Sequence, residues 1–107
     1  MKKKNEKLIN EYYVETVYNV VPINKNNEIR ILTSKDLRNN SLLVDIRKFS
    51  LYGNNFDDIK KPTTKGIKFK LRNVSRIMVG LLLVMLDNNI INYEDYHTIK
   101  NILLKYV

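Results

Sequence analysis

The stretch that decides the fold is Lys65-Gly66-Ile67-Lys68-Phe69-Lys70-Leu71-Arg72, which follows Asp45-Ile46-Arg47-Lys48-Phe49 in the chain. At the two-residue period of a β-strand, its later residues separate into an apolar face and a cationic face: Ile67, Phe69 and Leu71 against Lys68, Lys70 and Arg72. A purely cationic strand face is uncommon, because solvent-facing positions usually mix both signs of charge. Such a face favours a polyanionic partner, and a nucleic-acid backbone is the obvious one.

The charge of the whole chain points the same way. The 107 residues carry a formal net charge of +8. Residues 28–72 hold eleven Lys or Arg against five Asp or Glu, and the rest of the chain holds eight against six. The positive charge is therefore concentrated in the middle of the chain, where the strand pattern also lies. We expect residues 1–10 to form a flexible basic lead-in and residues 11–107 to form a single nucleic-acid-binding domain.

The amino-acid composition also indicates in which cellular compartment the protein is expected. The chain has no cysteine, which removes disulfides and thiolate metal sites. The longest apolar run, Ile77–Leu86, is too short to span a membrane, and the first residues lack the apolar core of a signal peptide. We therefore expect an intracellular protein that does not enter membranes, and the nucleus, the nucleoid and a viral replication compartment remain open.

Hydrophobic periodicity predicts strands first and helices afterwards. Four strands are expected, over residues 12–21, 28–33, 42–49 and 66–72. The period then changes to that of a long apolar helix, which Asn73 begins and Asp87-Asn88-Asn89 ends. Asn92 is expected to cap a second helix over residues 92–106. The predicted fold class is α+β, with helices packed on one face of a four-stranded antiparallel sheet.

The first predicted helix is apolar around nearly its whole circumference, so it needs cover on more than one side. In so short a chain, we expect the sheet to cover one side and a second subunit the other. The residues expected in this dimer interface are Ile77, Met78, Leu81, Leu82 and Met85.

Three runs carry a resemblance to a known family: Glu28–Arg38, Leu42–Phe49 (LLVDIRKF) and Lys61–Ile67 (KPTTKGI). In order and spacing they resemble the single-stranded-DNA-binding domain of the transcriptional coactivator positive cofactor 4 family, over residues 28–86. The resemblance implies a homodimer in which the helix after the fourth strand pairs with its twin. It also implies a curved sheet that cradles single-stranded DNA, and a function in transcription, replication or repair.

Carried over position by position, the resemblance places DNA contacts on six residues: Arg30, Lys35, Arg38, Arg47, Lys61 and Lys65. The strand pattern adds Lys68 and Lys70 as phosphate contacts and Phe49 as a stacking or core residue. The sequence departs from the family at two aromatic positions, where it has Leu37 and Ser50. Charge is therefore expected to contribute more to binding than base stacking does.

Two other kinds of function stay open. The missing aromatics allow a protein-interaction or structural dimer that binds polyanions only weakly, and the basic face alone does not distinguish DNA from RNA or from melted duplex. Catalysis is not expected, because the single histidine, His97, has no nearby residues that fit a nucleophile and base arrangement. We expect neither a cofactor nor a metal. The transcription or replication machinery is a further expected partner.

Overall fold

The computed structural model describes residues 5–51, 59–90 and 92–106. Five strands precede two helices, so the α+β class predicted from the sequence is confirmed. The strands are β1 (Asn5–Leu8), β2 (Tyr13–Asn24), β3 (Asn27–Asp36), β4 (Ser41–Ser50) and β5 (Lys61–Lys70). A 3-10 turn (Leu71–Asn73) leads into α1 (Val74–Asn88), and α2 (Tyr93–Tyr106) follows.

The sheet is an antiparallel meander in which the spatial order of the strands equals their order in the chain. The prediction of four strands is wrong by one, because Asn5–Leu8 pairs with Val14–Val17 as strand β1. The segment is polar and therefore shows no strand pattern, but an edge strand tolerates polar and charged side chains well. The remaining residues of the predicted lead-in that precede β1, including Lys2, Lys3 and Lys4, lie outside the described residues.

The register divides the side chains between two faces. We call the "arginine face" the one that carries Arg30, Arg47, Lys68 and Lys70, with Glu28, Asp45 and Phe49 beside them. The opposite, "apolar face" carries Ile29, Ile31, Val44, Ile46, Ile67 and Phe69. The alternation predicted for β5 is thus confirmed from Ile67 to Lys70. Leu71 and Arg72 fall in the 3-10 turn instead.

Both faces contribute to a small core. Leu32 and Phe49, on the arginine face, are 1% and 6% exposed, and Val44, on the apolar face, is 8% exposed. The buried polar residues include Asp45, which is 4% exposed. A carboxylate at that depth needs a cation and hydrogen bonds to offset its lost hydration.

The chain divides into two compact units, Met1–Val74 and Ser75–Val107. In the second unit, the Asn92 side chain accepts hydrogen bonds from the backbone N–H groups of Glu94 (2.7 Å) and Asp95 (3.3 Å). The cap predicted at Asn92 is therefore confirmed. Packing of the helices on the sheet and pairing of α1 with a second subunit stay predictions. In the described parts of the chain, no helix is long and apolar enough to span a membrane.

Candidate nucleic-acid interface

Arg30 and Arg47 lie directly opposite each other on β3 and β4. Side chains in directly opposite positions have Cβ atoms about 4.5–5.5 Å apart, and like charges at such positions destabilise a sheet. Each arginine is compensated by a carboxylate two residues earlier on its own strand, Glu28 for Arg30 and Asp45 for Arg47. The paired carboxylates explain how the sheet tolerates two guanidinium groups side by side.

The Arg30 guanidinium has a defined position. Its Nε donates a hydrogen bond to Glu28 Oε2 at 2.6 Å, and its Cζ lies 4.2 Å from the centroid of the Phe49 ring. Lys60 also pairs with Glu28, at 3.2 Å. Burial opposes ionisation of Glu28, but the hydrogen bonds and charges of Arg30 and Lys60 outweigh it and lower the pKa of this carboxyl group below its usual value.

Arg47 is held still more closely, with a side chain that is 17% exposed. Its Nε donates to both carboxylate oxygens of Asp45 at 3.1 Å, and its Nη1 donates to the Thr63 carbonyl oxygen at 2.9 Å. Gly66 lies directly opposite Arg47 on β5. A Cβ atom at Gly66 would lie only 2.8 Å from Arg47 Cζ, so the absence of a side chain there leaves room for the guanidinium.

Arg38 follows the same pattern at the end of β3. Its Nε and Nη2 donate to the two carboxylate oxygens of Asp36 at 3.0 and 2.9 Å, and Nη2 also donates to the Tyr13 hydroxyl at 2.8 Å. Hydrogen bonds from the Arg38 side chain and backbone lower the pKa of Asp36. Three of the predicted contact residues are therefore arginines whose guanidinium planes are fixed by carboxylates.

The predicted lysines are arranged differently. Lys61, Lys65, Lys68 and Lys70 are all exposed on β5, but only Lys68 and Lys70 are on the arginine face. Lys68 lies directly opposite Asp45, whereas Lys61 lies opposite Ser50 on the apolar face and Lys65 alternates with Gly66. Lys35 is also exposed, but it lies opposite Leu42 and alternates with the arginine-face positions of β3. Lys35 is thus on the apolar face, away from Arg30 and Arg47.

Phe49 packs beneath the Arg30 guanidinium and does not offer an exposed ring to a base. It is 6% exposed, and the guanidinium lies over its ring. Ser50 is also buried, and its hydroxyl donates to Asn27 Oδ1. Leu37 is 45% exposed in the turn after β3. No aromatic side chain therefore stands at either of the two positions where the resemblance expects one.

A cavity of about 350 Å³ on the arginine face connects Lys68 with the end of the sheet that carries Asp36. Its lining is largely polar and comes from four strands and the first turn: Ile9, Tyr13, Glu15, Ser34, Asp36, Ser41, Leu43 and Lys68. The lining combines the ammonium group of Lys68 with the carboxylates of Glu15 and Asp36, so both signs of charge meet along this part of the face.

The residues predicted for a dimer interface are on α1. Ile77 and Met85 are half-buried, while Met78, Leu81 and Leu82 are 50%, 55% and 38% exposed. His97 on α2 lies against two tyrosine rings, with centroids 4.4 Å from Tyr93 and 5.6 Å from Tyr96.

An ion pair of Arg47 with Asp45 could be anticipated from the sequence, but no acidic partner was assigned to Arg30 or Arg38, and the two tyrosines at the end of the sheet were not identified. A signal for the acids was present, because Glu28-x-Arg30, Asp36-x-Arg38 and Asp45-x-Arg47 repeat one spacing, which brings two side chains to the same side of a strand. The tyrosines had no such signal, since Tyr12 and Tyr13 meet Arg38 only through the pairing of β2 with β3.

Three comparisons with known proteins found no match: none to a family model, none to a curated protein and none to a solved structure.

Proposed function

We propose that this chain binds single-stranded nucleic acid, DNA in the first instance, with little sequence preference and as a homodimer. The observation that carries the proposal is the pair of opposed arginines, Arg30 and Arg47, on a sheet face that also bears Lys68 and Lys70. In this role the chain would hold melted DNA open during transcription, replication or repair.

The chemistry of a guanidinium supports a phosphate ligand at the opposed arginines. Each guanidinium has five N–H donors, and the contacts described above use only part of them. A phosphate oxygen could accept from the remaining N–H groups of both arginines, and such charge-assisted bonds are among the stronger ones in proteins. Lys68 and Lys70, which are exposed on the same face, add phosphate contacts that do not depend on base sequence.

The preference for single strands rests on the flat, fixed guanidinium planes. An unpaired base can stack on an arginine plane, whereas the base faces of a duplex are already stacked on one another. We leave Lys35 and Lys61 outside the proposed interface because both lie on the apolar face.

The test is fluorescence polarisation with labelled oligo-dT and with a duplex of equal length. We expect tighter binding to oligo-dT, and affinity that falls steeply with salt because bound cations are released from the nucleic acid. Equal or tighter binding to the duplex would reject the preference for single strands. Oligo-U in the same assay distinguishes RNA from DNA.

The site is tested with Asp45→Asn combined with Arg47→Gln, since Arg47→Gln alone would leave a buried carboxylate without its cation. The double variant keeps the net charge of the chain, so a loss of affinity reports on the guanidinium itself. We expect a loss of about tenfold or more. Lys68→Gln in the same background should weaken binding further, and unchanged affinity in both would reject the assigned site.

A second candidate function is a protein-interaction dimer that binds polyanions only weakly. The exposed apolar side chains of α1 favour it, for example Leu83 (61% exposed) and Leu86 (65% exposed). This function predicts that heparin and oligo-dT bind equally weakly, whereas the first predicts that oligo-dT competes effectively against heparin.

A further inference from the structure

Two turns meet at one end of the sheet. Tyr13, which begins β2, lies opposite Asp36, which ends β3, so the turn before β2 lies beside the turn after β3. The Leu37 N–H donates to the Tyr12 carbonyl oxygen at 2.6 Å and joins the two turns directly. Asn10 Oδ1 accepts from the N–H groups of Tyr12 (2.8 Å) and Tyr13 (3.2 Å). The backbone of Tyr12 is therefore fixed on both sides.

The side chains at this end form an ordered stack. Arg38 Cζ lies 4.6 Å from the ring centroid of Tyr12 and 5.4 Å from that of Tyr13. Asp36 holds the guanidinium through two hydrogen bonds, and the Tyr13 hydroxyl accepts a third. The guanidinium plane and the Tyr12 ring are thus oriented before any ligand arrives, so that little side-chain entropy remains to be lost on binding.

The stack stays open to solvent although its framework is fixed. Tyr12 is 41% exposed, Leu37 beside it is 45% exposed, and the Arg38 side chain is 53% exposed. Tyr13 is half-buried, so it packs within the fold. Tyr12 is exposed, so much of this residue remains in contact with solvent. Flat aromatic and guanidinium surfaces that are both fixed and exposed suit a flat ligand, and an unpaired nucleobase is the flat group that a nucleic-acid strand supplies.

We propose that Tyr12 and Arg38 form a stacking platform for one unpaired base of the bound strand. The proposal rests on the single-strand binding proposed above and extends its site. Asp36 and Arg30 lie on the same side of β3 six residues apart, or about 20 Å along the strand. The cavity that reaches from Tyr13 to Lys68 occupies part of this interval on the same face. One strand can therefore contact the platform and the arginine face together.

The test compares oligo-dT with a deoxyribose-phosphate strand of the same length that has no bases. The wild-type chain should bind oligo-dT more tightly, and Tyr12→Leu should reduce this ratio by roughly 5- to 150-fold, the effect of one stacked base. Its affinity for the abasic strand should not change, because the phosphate contacts remain. Tyr12→Phe keeps the ring and should keep the ratio.

Tyr18→Leu is the matched control, since Tyr18 on β2 is 42% exposed. If the wild-type chain does not bind oligo-dT, the proposed function fails. If it binds and prefers oligo-dT, but Tyr12→Leu keeps the wild-type ratio or Tyr18→Leu lowers it equally, the platform is refuted. A second experiment uses the wild-type chain, so that its result does not depend on whether a variant folds. Ultraviolet crosslinking of the wild-type chain to bromodeoxyuridine-substituted oligo-dT should modify Tyr12, and crosslinks confined to other residues would overturn the proposal.

Discussion

Replacing Gly66 with alanine should destabilise the sheet and disturb the arginine face at the same time. A Cβ atom at Gly66 would lie 2.8 Å from the Ile46 carbonyl oxygen, 2.8 Å from Arg47 Cζ and 2.9 Å from Arg47 Cβ. These distances are about 0.6 Å short of ordinary contact. The Arg47 side chain can move aside, but the Ile46 carbonyl belongs to the β4 backbone. We expect a loss of about 1–3 kcal/mol in the free energy of unfolding, as for other overpacked sites.

Gly80 supplies the matched control, because a Cβ atom there would meet no atom within 4 Å beyond its chain neighbours and the nearby backbone of its own helix. Gly80 lies inside α1, where alanine is favoured over glycine by roughly 0.5–1 kcal/mol. The same substitution should therefore destabilise the chain at residue 66 and stabilise it at residue 80.

Urea denaturation followed by circular dichroism measures both effects at equal protein concentration. Gly66→Ala should also weaken oligo-dT binding, because the guanidinium moves away from Asp45 and Thr63, whereas Gly80→Ala should leave it unchanged. A Gly66→Ala variant as stable as the wild type, with unchanged affinity, would refute the packing described for Arg47.

Two further predictions concern the groups around Arg30. The pKa of Glu28 is lowered in the folded chain, so its stabilising effect is present above its unfolded value of about 4.5 and is lost as the pH falls through the folded value. Glu28→Gln should therefore lower the free energy of unfolding by about 1–2 kcal/mol at neutral pH. It should also make this free energy, measured by urea titration, fall less steeply as the pH is lowered; a fall as steep as in the wild type would contradict the ion pair of Glu28 with Arg30. Phe49→Ala should cost about 3–5 kcal/mol and free the Arg30 guanidinium, whereas Phe49→Leu, which keeps more of the buried volume, should cost less; equal unfolding midpoints for the two variants would show that the ring does not support the core.

The order of strands and helices could largely be predicted from the hydrophobic periodicity of the sequence, but the ends of the strands could not. Strand β3 continues to Asp36, beyond the predicted end at residue 33, because pairing with β4 extends the ladder over polar residues. Strand β5 begins at Lys61 instead of Gly66 and includes Pro62. Proline is tolerated there because β5 is an edge strand and its register shifts between Arg47 and Phe49.

The geometry of the candidate site could not be predicted from the sequence. The resemblance proposed Arg30, Arg38 and Arg47 as contacts, but only the register places Arg30 against Arg47 and puts Lys35 on the other face. The contact of the Arg30 guanidinium with the Phe49 ring likewise joins two strands, and no local pattern of residues predicts it.

We propose that nucleic acid binds to the arginine face, and two matched double variants distinguish this face from the apolar face. Lys68→Gln with Lys70→Gln removes two charges from the arginine face, and Lys35→Gln with Lys48→Gln removes two from the apolar face. The measurement is the dependence of oligo-dT affinity on salt concentration. The first variant should reduce the log–log slope by up to about 1.4, since each lost phosphate contact on a single strand contributes about 0.7. The second should keep the wild-type slope; an unchanged slope in the first variant, or an equal or larger reduction in the second, would contradict the claim.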